Sequence, residues 1–475
     1  MIFSVLGRIV SIEGFALMLP CITGMLYGEW KAALSFGVTA VAAVLFGLCV
    51  FALTKSYENT IYAKEGFVIV ALGWIVMSAI GAIPFVASGD IPRYIDAFFE
   101  TVSGFTTTGA SILSAPEALT HAAHIWRAFT HWIGGMGILV LMVAIFPDSN
   151  GRTIHIMRAE MPGPVIDKIV PKARDTAKIL YFMYIGLTLA EVVFLLFGGM
   201  SVFESFFYAF GTAGTGGFGV LSDSCASYSP YIQWVITAFM ILFGVNFNLY
   251  YLILIKKFSR AVRSEELWVY LGIIVAASAM IGVNIYSMYR SIGETVRTSV
   301  FGVASIITTT GYATSDFNAW PTFSKGLIFL LLFSGGCAGS TAGGLKLSRT
   351  IILVKSVRRH LRMMLHPREV CTVKFEGKTV DEGVRHNVST YFVLYMLTLA
   401  AIFLVVSLEP FDVETNLTAA ISCFNNVGPA FGKAASGYGE YSGAIKLVLS
   451  AAMLLGRLEL YPLMLTFTAR TWIKK

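Results

Sequence analysis

Charge is what this chain has least of. Only 13% of its 475 residues are Asp, Glu, Lys or Arg, against about 25% in soluble globular domains. Hydrophobic residues make up 56%, and the mean hydropathy is +0.72. Cysteine is sparse too: Cys21, Cys49, Cys225, Cys337, Cys371 and Cys423 are scattered, mostly in or beside apolar segments, with no CxxC pair. That excludes a disulfide framework and a thiolate metal site. No strand-flanked G-x-G-x-x-G is present, so no nucleotide is expected to bind this chain itself. GFTTTG (104–109) and GSTAGG (339–344) have the glycine spacing of a phosphate loop, but neither is followed by Lys and Ser/Thr. There is no nucleophile elbow, metal motif or paired-carboxylate site, which leaves a membrane-embedded enzyme without its chemistry. The alternating segments of about ten residues that mark a β-barrel are also lacking.

What remains is a succession of apolar runs long enough to span a bilayer, about 20 residues each. The fold class expected is an all-α polytopic membrane protein. Two spans come first, near 3–26 and 32–54, within a unit of residues 1–60. Glu13 interrupts the first apolar run and no A-x-A-like site follows, so it reads as a retained helix rather than a cleaved signal. Four similar units follow, at 61–150, 151–260, 261–385 and 386–475. Each has an apolar helix, a half-length segment ending in a glycine-bearing loop, and a second apolar helix. The helix pairs are expected near 63–89 and 122–147, 176–199 and 229–256, 264–289 and 321–357, and 386–408 and 441–470. The total is about ten spans plus four short pore helices.

The net charge of +7 is no nucleic-acid signal, because the basic residues lie in alternate loops. Arg152, Arg158, Lys168, Lys172, Arg174 and Lys178 fall in 148–178, KKFSRAVR fills 256–263, and 349–385 is rich in Lys and Arg, whereas 200–229 has neither. By the positive-inside rule these loops and both termini are cytoplasmic, in a multi-pass plasma-membrane protein.

The half-length segments end in a repeated motif: ETVSGFTTTGAS (100–111), YAFGTAGTGGFG (208–219), GVASIITTTGYA (302–313) and ISCFNNVGPAFG (421–432). Gly109, Gly216, Gly311 and Gly428 recur at corresponding places. Bare backbone within a bilayer is tolerated only where protein buries it or it lines a wet cavity. Loops set around one axis can present carbonyl rings that replace a cation's hydration shell. Glycine lets successive carbonyls turn inward, and each short helix directs its negative C-terminal end at the axis. The filter residues expected are Thr107, Thr108 and Gly109; Gly214, Thr215 and Gly216; Thr309, Thr310 and Gly311; and Asn426, Val427 and Gly428. A secondary active, proton- or sodium-coupled solute transporter is the alternative. It would more often show two inverted halves and midplane charges.

With TTTGAS, AGTGGFG, TTTGYA and NNVGPAFG in these places, the chain resembles the Trk/Ktr/HKT superfamily of potassium transporters over essentially its whole length. The two extra N-terminal spans are similar to those of the bacterial Trk members. The resemblance implies channel-like potassium uptake across the inner (plasma) membrane, with potassium as the transported ion held at the filter. A glycine at the filter position of every repeat goes with potassium selectivity in that superfamily. The resemblance also implies a homodimer with one pore per protomer, and a separate cytosolic ring of nucleotide-binding (NAD- or ATP-sensing) regulatory subunits.

Below the filter, SGGCAGSTAGG (334–344) interrupts what would be the second helix of the third unit. Each glycine costs about 1 kcal/mol of helix propensity relative to Ala, so a break is expected. The segment is either a close helix contact of small residues or a flexible intramembrane gate; the resemblance implies a pore-blocking loop here. The gate residues are Gly335, Gly336, Gly339, Ser340, Thr341, Gly343, Gly344 and Lys346, the last drawn toward an anion or a carbonyl. Arg457, deep in the last span, either holds that loop through its carbonyls or pairs with a carboxylate such as Glu459. His121, His124 and His131, beside Trp126 and Trp132, read as interfacial anchors rather than metal ligands. Glu191 and Glu204 are weaker candidates for carrying coupled protons.

Overall fold

The computed structural model describes residues 2–54, 63–137, 173–369 and 371–468. The basic stretch 148–172, the expected helical residues 138–147 and the C-terminal residues 469–475 lie outside them.

Helices α1 (Ile2–Ala16) and α2 (Met18–Leu26) form one apolar span, interrupted only at Leu17, beside α3 (Trp30–Thr54). Small residues bring α1 and α3 together: a Cβ on Gly7 would stand 2.7 Å from the Gly47 carbonyl, and one on Gly14 2.8 Å from that of Ala40. Without a strong hydrophobic drive between helices in lipid, such close backbone packing supplies the attraction. The other face of α3 leaves Leu34, Val38, Leu45 and Leu53 exposed, as a lipid-facing surface requires.

The remaining helices follow the expected order of long helix, short helix, loop and second helix. The long ones are α4 (Ala63–Ser88), α7 (Ala173–Phe197), α12 (Glu265–Tyr289) and α16 (Glu382–Val406). The short ones are α5 (Tyr94–Phe105), α8 (Val202–Gly214), α13 (Ile292–Ile307) and α17 (Val413–Asn425). Their 12–16 residues reach only about 18–24 Å at 1.5 Å per residue, short of a hydrocarbon core of about 30 Å. Several starts are capped by a side-chain oxygen: Thr120 before α6 (His121–Met136), Ser201 before α8, Ser264 before α12 and Asp412 before α17.

The second helices of the second and fourth units depart from the expected unbroken spans. That of the second unit is divided into α9 (Pro230–Phe243) and α10 (Phe247–Leu254), bent by 90°. The short α11 (Phe258–Val262), which carries Arg260, follows. The third unit's second helix stops at α14 (Thr322–Leu331) and resumes only at α15 (Leu347–Leu365), so the break foreseen at 334–344 is present. The fourth unit's is divided into α18 (Gly443–Arg457) and α19 (Leu460–Thr466), bent by 119°. Six helices among the described residues are long and apolar enough to cross a membrane, or eight if each bent pair counts as one. A small antiparallel hairpin, Lys374–Phe375 with Lys378–Thr379, is an addition to the all-α expectation. It docks on the start of α12, where Glu376 accepts from the Ser264 hydroxyl (2.8 Å) and the Glu266 N–H (3.0 Å).

Candidate functional site

The short helices end alike. Thr107, Thr215, Thr309 and Asn426 each take a left-handed conformation, with φ of 55–57°. Each donates its N–H three residues back, to Gly104, Thr212, Ile306 and Cys423. The next residue donates five back: Thr108 to Ser103, Gly216 to Gly211, Thr310 to Ser305 and Val427 to Ser422. This is the Schellman arrangement, which satisfies carbonyls that a helix end leaves open. Glycine is its usual left-handed residue, so three threonines there are strained by about 1–2 kcal/mol each. Strain repeated at equivalent places marks geometry that the surrounding packing imposes.

The loops close into a ring. A Cβ built on Gly109 would run into the carbonyl oxygen of Gly216, one on Gly217 into that of Thr310, one on Gly311 into that of Val427, and one on Gly428 into that of Thr108. The contacts are equivalent and cyclic: first loop to second, second to third, third to fourth, fourth back to first. Gly109, Gly217, Gly311 and Gly428 all have positive φ (76°, 76°, 84° and 99°). They share one cavity of about 610 Å³ with Ser111, Asp223, Asp316 and Tyr438. The second loop therefore corrects the sequence register. Gly217 matches Gly109, Gly216 matches Thr108, and Gly214 is the last residue of α8. The sequence reading, which matched Gly216 to Gly109, is off by one because this loop offers adjacent glycines.

Behind the ring, Thr106 and Thr108 hydroxyls meet at 2.8 Å, and Thr308 and Thr310 at 2.7 Å, each pair anchored to its own helix through Val102 or Ala304. Asn426 donates to the Thr108 hydroxyl (3.0 Å) and to the Met453 carbonyl (2.9 Å), tying the fourth loop to the first and to α18. Glu100 and Arg127, which the sequence reading missed, form a buried pair at 2.8 Å. Glu100 also accepts from the Ser111 hydroxyl and the Ile112 N–H, while Arg127 reaches the Gly219 carbonyl. The pair thus fastens the outer limbs of the first two loops. Outside the membrane-spanning segments, the Ser222 N–H holds the Glu117 carboxyl below its ordinary range and links the same two limbs. The histidines split: His121 stacks on Tyr27 and pairs with Glu29 at the surface, but His124 and His131 are buried rather than interfacial. Burial by α5 and α8 decides this, which a span's own sequence does not reveal. Of the two glutamates, Glu204 meets Ser201 and Tyr228, and Glu191 is fully buried. No cluster of metal-ligating side chains occurs among the described residues.

The glycine-rich segment lies against the ring at Thr309 and Asn426. The Gly343 N–H donates to the Thr309 hydroxyl at 2.7 Å. The break between α9 and α10 receives it: the Cys337 N–H donates to the Gly244 carbonyl, the Thr341 hydroxyl to the Phe243 carbonyl, and the Phe247 N–H to the Gly339 carbonyl. Each interruption satisfies backbone groups that the other frees, as an apolar medium demands. Gly335, Gly339 and Gly344 have positive φ, and Gly335 packs against Gly343 and Gly344, leaving no room for side chains. Gly336 is held between the Gly244 carbonyl and Ser340. Lys346 is buried with its amine on the Ala342 carbonyl, the carbonyl option of the two foreseen. Arg457 donates to the Thr341 carbonyl (2.9 Å) and to those of Gly134 (2.6 Å) and Gly135 (2.8 Å). Glu459 instead pairs with Arg349 at 2.6 Å.

Residues 35–472 match the family described as TrkH, cation transport protein. Trk system potassium uptake protein TrkH of Escherichia coli (strain K12) is 33% identical over 475 aligned residues, which cover 98% of each chain. TrkG of the same strain is 32% identical, covering 98% of this chain and 97% of the relative. The crystal structure of the potassium transporter TrkH from Vibrio parahaemolyticus superposes with a TM-score of 0.88 at 29% identity, covering 99% of both chains. With its family match and these relatives both spanning nearly the full length, the chain belongs to the TrkH family, whose members are transporters and not enzymes.

Proposed function

We propose that this protein carries potassium into the cell through a channel-like pore, with the ring of loops as its selectivity filter. The observation that carries the reading is the cyclic set of equivalent contacts, at which the negative ends of four short helices converge. Backbone carbonyls and hydroxyls suit a weakly hydrated monovalent cation, with no carboxylate needed. The binding residues are Thr107, Thr108 and Gly109; Thr215, Gly216 and Gly217, following Gly214; Thr309, Thr310 and Gly311; and Asn426, Val427 and Gly428. The names of the relatives, potassium uptake proteins and a potassium transporter, agree with this choice of ion.

The glycine-rich segment, with Gly335, Gly336, Gly339, Ser340, Thr341, Gly343, Gly344 and Lys346, acts as the gate, and Arg457 latches it. Ten spans and four pore helices, divided at residues 60, 150, 260 and 385, complete the architecture. Both termini and the basic loops face the cytoplasm, where a nucleotide-binding regulatory ring engages a homodimer in the inner membrane. The test is rubidium-86 uptake into liposomes bearing the purified protein. Potassium competes for uptake in the wild type, and Gly109→Ser and Gly217→Ser both relax the preference toward sodium. Uptake indifferent to potassium, or serine variants that keep wild-type selectivity, refutes the filter. An intact wild type that transports no cation but accumulates an organic solute points to the coupled-transporter alternative.

A further inference from the structure

The second filter loop lacks the side chains that brace its counterparts. In the first and third loops, the residue ending the short helix or following it and the middle filter residue are both threonines, whose hydroxyls join behind the ring (Thr106 with Thr108, Thr308 with Thr310). The corresponding residues of the second loop are Gly214 and Gly216. Their missing side chains leave no void, because His131 of α6 fills the space. A Cβ on Gly216 would collide with the imidazole ring itself, and one on Gly214 with the His131 backbone.

The imidazole is held on two sides. Nδ1 lies 2.8 Å from the Gly104 carbonyl. A carbonyl only accepts, so the ring proton sits on Nδ1. The ring also packs on Phe218 with centroids 4.2 Å apart, and the Arg127 guanidinium lies over that same phenyl at 4.2 Å. His131 is fully buried. It therefore joins the end of the first short helix to the backbone of the second loop. The Gly216 carbonyl is the one that Gly109 packs against, so the position of His131 sets a contact in the ring.

We infer that His131 is a positioning residue for ion selectivity: its imidazole takes the place of the paired threonines in the second loop and fixes the Gly216 carbonyl within the ring. The inference deepens the filter reading and rests on it. It explains why this loop carries Gly216 where the corresponding residues of the first and third are Thr108 and Thr310. The imidazole and Gly216 form one complementary pair, whereas Gly214 is kept small by the backbone of residue 131.

The test is a mutant cycle with two readouts on the full-length protein. One is thermal stability in detergent, and the other is the potassium-to-sodium preference of rubidium uptake in liposomes. His131→Ala is expected to fold and to lose about tenfold in preference, the equivalent of roughly 1.4 kcal/mol. Gly216→Thr is expected to destabilise the protein when His131 is present, and to do so far less in the His131→Ala background, because a Cβ there meets the imidazole ring. The double variant His131→Ala with Gly216→Thr recovers part of the lost preference, because the threonine refills the space behind the loop. Equal destabilisation in both backgrounds overturns the inference whatever the wild type transports. So does a His131→Ala protein with wild-type selectivity when Gly109→Ser alters it. Strong coupling in stability together with a wild type that shows no cation preference overturns the filter reading instead, and with it the selectivity role.

Discussion

Replacing Arg457 tests the proposed latch most directly. The guanidinium spans two elements, donating to the Thr341 carbonyl in the glycine-rich segment and to the Gly134 and Gly135 carbonyls at the end of α6. Only the first of these bonds holds the segment itself. A hydrogen bond from a charged donor contributes about 1.5–3 kcal/mol. Losing it in Arg457→Met therefore moves the closed-to-open ratio toward open by roughly 10- to 150-fold. Arg457→Lys should fall between the two, because a compact ammonium cannot reproduce the planar fork that reaches both sides. The assay is the initial rate of rubidium uptake into proteoliposomes without any partner protein. Glu459→Gln serves as the control, since Glu459 engages Arg349, and its basal uptake should stay near wild type. A correctly folded Arg457→Met protein with unchanged or lower basal uptake would refute the reasoning. It would mean that the guanidinium acts as scaffold or as an electrostatic element of the pore rather than as a latch.

Deleting residues 339–343 removes both the Thr341 carbonyl and the Gly343 N–H that meets Thr309. Basal uptake should rise, with the potassium preference kept because the ring contacts lie outside the deletion; a closed or lost pore in folded protein would count against a gate here. Arg127→Met strands the Glu100 carboxylate, whose side chain is fully buried, and breaking a buried pair this way costs about 3–5 kcal/mol. A clear fall in the detergent unfolding temperature is expected, and an unchanged one would show that the pair does not fasten the outer limbs of the loops.

Much of this protein was legible from its sequence because the signals are contiguous. Apolar runs announce long helices such as α3 and α12. A cluster of glycine and threonine after a half-length helix announces backbone that cannot face lipid. Repetition across the chain shows that such loops belong together. The break at 334–344 was equally plain, since so many small residues cannot hold a helix. Arg457 stood out as an ionisable group inside a span. These readings depend on local propensity and on the cost of burying polar groups, both of which a linear sequence carries.

Tertiary structure decided what depends on neighbours distant in the chain. In GTAGTGG several glycines could satisfy the filter position, and only the contact of Gly217 with Thr310 selects one. The bends between α9 and α10 and between α18 and α19 follow from partners elsewhere. The freed backbone at Gly244 and Phe247, for instance, is satisfied by Cys337 and Gly339. His131 sits in a span rich in aromatic residues and looks like an interfacial anchor until α5 and α8 bury it against Gly104 and Gly216. Arg349, not Arg457, takes Glu459, although Arg457 is nearer in sequence. The sequence alone determined that this chain crosses a membrane and surrounds an axis with repeated loops. Which atoms meet at that axis was left to packing, because a carbonyl, unlike a side chain, has no identity in the sequence and acquires one only from what stands opposite it.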